Sequence, residues 1–150
     1  MNVRTRELFV AYLVVLLLLT FLPLDGLDNG QPVDLRLHLF RTINFAFRRG
    51  LESHQFIVLI GNIAAFVPLG VFVPLLQGRV SAVRVFVIAL ALSTAIELGQ
   101  LAISVAVGYA YRTADVDDVA TNVLGAMVGC LAFMLFQWVR EMAVKRRAAG

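Results

Sequence analysis

Charged residues are scarce in this chain: they make up 15% of its 150 residues, whereas 60% are hydrophobic. Soluble domains have about 25% charged residues, and the apolar residues here form runs long enough to cross a bilayer. This composition argues against a soluble enzyme, and the basic residues flank apolar runs instead of forming a nucleic-acid-binding surface. We therefore predict an all-α membrane protein with a single domain over residues 1–150 and no nucleic-acid partner.

Residue types that build disulfides and metal sites are nearly missing. The single Cys130 excludes an intramolecular disulfide and is expected to pack as a small apolar side chain. His38 and His54 lack the spacing of paired metal ligands, and aspartates without histidines are weak evidence for a metal. No combination of Ser, His and an acid points to nucleophilic catalysis. We expect no metal and no other cofactor.

Four apolar runs predict four transmembrane helices. The first follows Arg4 and Arg6, an arrangement that signal peptides share, but its length and the lack of a small-residue cleavage site favour a retained helix. The predicted spans are residues 8–24, 56–76, 82–107 and 119–139.

The longest polar connection, residues 25–55, begins with turn-forming residues and continues as an amphipathic segment. Apolar side chains from Leu39 to Leu51 share one helical face, and Arg41 and Arg48 lie largely on the other. This pattern predicts a helix in the plane of the lipid headgroups. Leucines alternate over residues 35–39, so the start of the segment is equally compatible with an extended strand.

Basic residues at the amino terminus, in the turn 77–81 and in the tail 140–150 would share one side of a four-helix bundle. The positive-inside rule makes that side cytoplasmic, although the loop 25–55 also carries arginines. We predict a multi-pass protein of the bacterial plasma (inner) membrane with both termini in the cytoplasm.

Polar residues inside the last three spans follow helical spacing. Insertion scales put the cost of a carboxyl in a bilayer at about 2.5–3.5 kcal/mol, so Glu97 needs a function or a partner. A stripe runs along the third span and another along the fourth, and with Asn62 they lie about 6–15 Å below one membrane face. We predict that the stripes face each other, with Arg112 and Asp117 closing the outer end. The stripes are Ser93, Glu97, Gln100 and Ser104, and Asp118, Asn122, Gly125 and Gly129.

Each of these features also has a purely structural interpretation. Glu97 can be a neutral hydrogen-bonding group between helices, and the aspartates can be a solvated cap at a helix amino terminus. Gly125 and Gly129 form a GxxxG motif, which by itself indicates close helix packing.

The polar residues of the last three spans form two motifs. The first is Glu97-x-x-Gln100, then Arg112, then Asp115-x-Asp117-Asp118-x-x-x-Asn122-x-x-Gly125-x-x-x-Gly129, and the second is Gly61-Asn62 with Phe66 to Gly70. Together these motifs resemble the VanZ-like family. The similarity covers residues 56–129 and departs in the loop, where FAFRRGLE replaces the expected proline-containing stretch. The resemblance implies a small multispanning membrane protein associated with resistance to the glycopeptide teicoplanin, and it implies no particular reaction.

Three functions are compatible with these residues: binding or modifying an envelope or lipid-linked compound in an outer-face pocket, proton-coupled transport or flipping, and a non-catalytic scaffold. In the first, Glu97 would transfer a proton and Arg112 would hold a phosphate or carboxylate. Expected partners are membrane lipid and a lipid-linked or cell-wall compound. The expected catalytic residues are Glu97, Asp117 and Asp118, and the expected ligand-binding residues are Asn62, Gln100, Arg112, Asp115 and Asn122.

Overall fold

The computed structural model describes residues 3–22, 32–33, 35–51 and 53–149, with side chains described as far as residue 147. The predicted end of the first span, at residues 23–24, and the predicted turn over 25–31 lie outside the described residues. The elements, in chain order, are α1 (Val3–Phe21), β1 (Leu35–Arg36), α2 (Arg41–Arg49), α3 (His54–Gln77), α4 (Ala82–Val107), β2 (Ala114–Asp115) and α5 (Val116–Ala149).

Among the described residues, three helices are long and apolar enough to cross a membrane: His54–Gln77, Ala82–Val107 and Val116–Arg147. They correspond to the second, third and fourth predicted spans. Both ends of α4 agree with the prediction, because Ser81 accepts a hydrogen bond from the Arg84 N–H at 3.4 Å and Gly108 ends the helix with φ 83°.

The first helix, α1, does not meet the same criterion. Every 18-residue window in it contains three charged residues, Arg4, Arg6 and Glu7. Its apolar part, from Leu8 to Phe21, is about 21 Å long at about 1.5 Å per residue, which is shorter than the roughly 30 Å hydrocarbon core. The fourth span thus stays a prediction.

The helices α3 and α5 are parallel and nearly in backbone contact. A Cβ atom on Gly125 would lie 2.1 Å from the Ile63 carbonyl oxygen, and one on Gly129 would lie 2.0 Å from the Val67 carbonyl oxygen. The GxxxG motif therefore packs against α3, and the prediction that the whole stripe on α5 faces α4 was wrong for its glycines. Only the absence of side chains permits so close an approach.

Apolar side chains fill the bundle on the side away from the polar residues. Leu16 of α1 joins this core, and the Tyr12 hydroxyl donates a 2.9 Å hydrogen bond to the Ala65 carbonyl oxygen. That oxygen is next to the carbonyl that Pro68 leaves without its usual helical donor. The central members are Phe66, Leu69, Val85, Ala89, Ile96, Ala126 and Cys130.

A short parallel bridge joins the two connections at one end of the bundle. β1 pairs with β2 in the register Leu35 with Ala114 and Arg36 with Asp115. The loop between α1 and α3 therefore lies against the turn between α4 and α5. Of the two structures that the sequence allowed at the start of the amphipathic segment, the extended one is confirmed at residues 35–36, and the helix begins only at Arg41.

Candidate functional site

All eight predicted site residues lie towards the same end of the bundle, where α1 and α4 end and α3 and α5 begin. We call this the polar end, and we call its side chains the polar cluster. Except for Asn62, Arg112 and Asp118, which are partly exposed, the members are buried. They are Asn62, Glu97, Gln100, Arg112, Asp115, Asp117, Asp118 and Asn122.

Glu97 faces the protein interior, with only 8% of its surface exposed. Its Oε2 atom accepts a 2.9 Å hydrogen bond from the backbone N–H of Asp115. Asp115, Asp118 and Arg112 are the charged groups within electrostatic range of this carboxyl group. The polar stripe on α4 therefore does what its helical spacing predicted, since it turns an ionisable group away from lipid.

Asp115 connects the turn before α5 to the loop helix α2. Its Oδ1 atom accepts from the Asp117 N–H at 2.9 Å, which caps α5. Its Oδ2 atom accepts from the Thr42 hydroxyl at 2.5 Å and lies 3.9 Å from Nη1 of Arg36. The buried Asp115 carboxylate thus hydrogen-bonds to both α5 and α2, which are far apart in the sequence.

Asp117 caps the amino terminus of α2. Its two carboxylate oxygens accept backbone N–H groups from Phe40 at 2.6 Å, Thr42 at 2.7 Å and Ile43 at 3.1 Å. Phe40 has φ 67°, a left-handed conformation that costs a side-chain-bearing residue about 1–3 kcal/mol. Hydrogen bonds to a charged group contribute about 1.5–3 kcal/mol each, so the three bonds outweigh the strain. The expected solvated cap is instead a buried one, because Asp117 is only 1% exposed.

The end of α1 is held by three donors from α4 and the turn that follows it. A helix leaves its last carbonyl groups without intrahelical partners, and cations are favourable there. Arg112 therefore stabilises α1, and its expected contact with a ligand stays a prediction. The bonds run from Gln100 Nε2 to Thr20 O at 3.1 Å, from Arg112 Nη2 to Leu22 O at 3.2 Å and from the Tyr111 hydroxyl to Phe21 O.

Asn122, in α5, contacts α4, and Asn62, in α3, contacts α5. The Asn122 amide donates a 2.9 Å hydrogen bond to the Ser93 hydroxyl, which joins the two predicted stripes. The Asn62 side chain interacts with the Asp118 carboxyl group. Its Nδ2 atom is buried and makes no hydrogen bond of normal geometry with any residue that the structure describes.

Asn62, Glu97, Gln100 and Asn122 come together at the polar end without hydrogen-bonding directly to one another within the described part of the chain. Glu97, Gln100 and Asn122 each hydrogen-bond to another group, and Asn62 interacts with Asp118. Thr42 and Tyr111 were not predicted, since a threonine and a tyrosine in polar connections follow no recognisable spacing. Arg36, at the start of the amphipathic segment, lies in β1 beside Asp115.

No group of three or more His, Cys, Asp or Glu side chains among the described residues is arranged to hold a metal ion. The carboxylates instead accept protein N–H and O–H groups. Next to the cluster lies a cavity of about 540 Å³, which we call the arginine pocket. Its lining residues are Arg36, Arg41, Thr42, Asn44, Phe45, Arg48 and Gln55.

Comparison with known proteins gives one match. A family model described as VanZ/LLP1 matches residues 9–137, a range that contains α2 to α4, most of α1 and α5, and every predicted site residue. No curated protein and no solved structure matches the chain.

Proposed function

The chain belongs to the VanZ/LLP1 family, and on that premise we propose that it is a bacterial envelope protein that binds or modifies a lipid-linked or wall-related compound at the polar end. The proposal includes the finer features that the sequence analysis expected, namely an outward-facing site and a link to teicoplanin resistance.

The burial of Glu97 among other charged groups is the observation that carries the proposal. A scaffold needs no ionisable residue in a membrane helix, and the bilayer cost of about 2.5–3.5 kcal/mol selects against one. Glu97 is fixed by the Asp115 N–H and lies within range of Asp118 and Arg112. A fixed carboxyl group near a second carboxyl group is suited to giving or taking a proton.

The contacts divide the acidic residues among the expected catalytic and ligand-binding residues into two kinds. Asp117 is fully engaged with the backbone of α2, and Asp115 with the starts of α5 and α2. We therefore assign both to positioning the loop. Glu97 and Asp118 are the candidates for proton transfer. Asn62 is a candidate ligand donor, because its side chain interacts with Asp118 while its amide nitrogen makes no hydrogen bond of normal geometry with a described residue.

Transport or flipping is the weaker alternative, because in the part of the bundle that the structure describes the polar cluster does not continue to the other end. Past the hydrogen bond between Ser93 and Asn122, the next inward residues are apolar and buried. On α4 they are Ala89 and Val85, and on α5 they are Ala126 and Cys130. A polar cluster that apolar residues close at one end is typical of a binding site and not of a transport path through a membrane.

The test is Glu97→Gln in cells whose teicoplanin tolerance depends on this protein. Glutamine keeps an oxygen that can accept the Asp115 N–H and removes only ionisation. We expect membrane insertion and thermal stability in detergent near wild type, together with loss of the tolerance that the intact protein confers. Glu141→Gln, at an exposed position far along α5, is the matched control and should keep the tolerance.

Two outcomes would contradict the proposal. If Glu97→Gln retains full tolerance, no proton transfer by this residue is required, and the scaffold interpretation gains support. If Glu97→Gln fails to fold while Glu141→Gln folds normally, the carboxylate is structural.

A further inference from the structure

The arginine pocket is a strongly basic cavity outside the polar cluster. Three of the residues that line it are arginines, Arg36, Arg41 and Arg48, and no acidic side chain is among its described lining residues. Arg41, Asn44 and Arg48 follow the spacing i, i+3, i+7, so one face of α2 turns towards the cavity. Its volume of about 540 Å³ lies within the usual range for small-ligand sites.

The polar cluster holds this pocket in place. Asp115 lies 3.9 Å from Arg36 and accepts a hydrogen bond from Thr42, and both of these residues line the pocket. Asp117 fixes the first turn of α2, which carries Arg41. Three arginines that line one cavity make its electrostatic potential positive, so the cavity is suited to a bound anion.

The surroundings of α2 point to the source of that anion. Large apolar side chains near it are exposed, including Leu37 at 70%, Phe47 at 64% and Leu51 at 73%. An amphipathic helix that carries and is flanked by such side chains is suited to the boundary between headgroups and acyl chains. Arginines on its polar face are then at the depth of the lipid phosphates, which guanidinium groups bind through two parallel hydrogen bonds.

We propose that the arginine pocket binds the phosphate of an anionic lipid or lipid-linked headgroup. This assigns anion recognition to Arg36, Arg41 and Arg48 instead of Arg112, which donates to the end of α1. This proposal names the class of ligand for the proposed function. What happens to the ligand after binding rests on the proposed function. Binding itself is measurable without any activity.

The test is lipid binding to the purified protein in detergent, measured by native mass spectrometry. The probes are phosphatidylglycerol and phosphatidylcholine with identical acyl chains. We expect the wild type to retain more phosphatidylglycerol, and Arg41→Gln combined with Arg48→Gln to lower that preference by about tenfold. Arg146→Gln combined with Arg147→Gln removes the same charge from the exposed end of α5 and should preserve the preference.

Equal losses in the two double variants, or no loss in either, would overturn the site. If the pocket variant does not fold, Arg48→Gln alone, in the last turn of α2, should still lower the preference. Inorganic phosphate is not expected to displace the lipid, and if it does so at equal concentration, a lipid is excluded as the source of the phosphate. Glu97→Gln should bind phosphatidylglycerol as the wild type does, so a failure of the proposed function would be distinguishable from a failure of this site.

Discussion

At the scale of single residues, the four carboxyl groups of the polar cluster have different surroundings although they are close together. Asp115 and Asp117 accept hydrogen bonds from the loop and helix starts that they hold. Glu97 accepts one backbone N–H group, and Asp118 faces Asn62. The chemistry of the cluster therefore depends on Glu97 and Asp118, and its geometry depends on Asp115 and Asp117.

Asp117→Ala tests the division between geometry and chemistry. The substitution removes three hydrogen bonds from the start of α2 and leaves the strained Phe40 backbone without its acceptor. Loss of a helix cap destabilises a helix by up to about 2 kcal/mol. We expect the rates of amide hydrogen exchange over residues 41–49 to rise by at least the factor that corresponds to this free energy. Asp118→Ala, one residue along, is the control and should leave exchange in α2 unchanged.

If the amides of α2 stay protected in Asp117→Ala, the cap does not hold the helix in solution. The residue would then be available for the catalytic role that the sequence analysis expected. If Asp117→Ala and Asp118→Ala accelerate exchange in α2 to the same extent, the protection of α2 does not depend on the Asp117 cap in particular.

Helical spacing predicted the inward orientation of Glu97, because a polar stripe within an apolar helix must face other protein. It could not predict that Asp117 caps α2, since the bonded backbone groups are more than 70 residues away in the chain. An aspartate cap is recognisable in a sequence only when it precedes the helix that it caps. The same reason explains why Tyr111 was missed.

At the scale of elements, the contact between α3 and α5 is the tightest in the bundle. Both helices contribute glycines, since Gly70 approaches the Ala126 carbonyl oxygen as closely as Gly125 and Gly129 approach α3. In a membrane, packing of this kind replaces the hydrophobic effect as the force between helices.

Gly129→Ala should disrupt this packing. The added methyl group would lie 2.0 Å from the Val67 carbonyl oxygen, so the backbones must separate. We expect a loss of about 2 kcal/mol in stability, measured by thermal unfolding in detergent. Gly61→Ala is the control, because a Cβ atom there meets nothing within 4 Å and alanine favours the helix. Equal thermal stability of the two variants would contradict the close contact.

Hydrophobic runs predicted α3 and α4 almost to the residue, because these helices end where the chain becomes polar. The predicted last span ends at residue 139, whereas the helix α5 continues to Ala149. Its last part is exposed and carries Lys145, Arg146 and Arg147. A helix that leaves a bilayer can continue in water, and hydropathy reports only the part that is apolar.

At the scale of the whole molecule, the connection between α1 and α3 contacts the connection between α4 and α5 at the polar end, where the structure describes them. The pairing of β1 with β2 and the contacts of Arg112 with the end of α1 establish this arrangement. The turn between α3 and α4, with Arg79, lies at the opposite end. The predicted cytoplasmic location of both termini further requires that α1 cross the membrane.

The central claim is that the polar end faces the cell exterior, where envelope compounds are found. The most direct test is labelling of intact cells with a membrane-impermeant thiol reagent, in a Cys130→Ala background that removes the buried native thiol. His38→Cys places a thiol at an exposed position of the polar end, and Arg79→Cys places one at the opposite end. We predict that position 38 is labelled at once and position 79 only after the cells are permeabilised. Labelling of position 79 alone in intact cells would put the polar end in the cytoplasm and contradict the account.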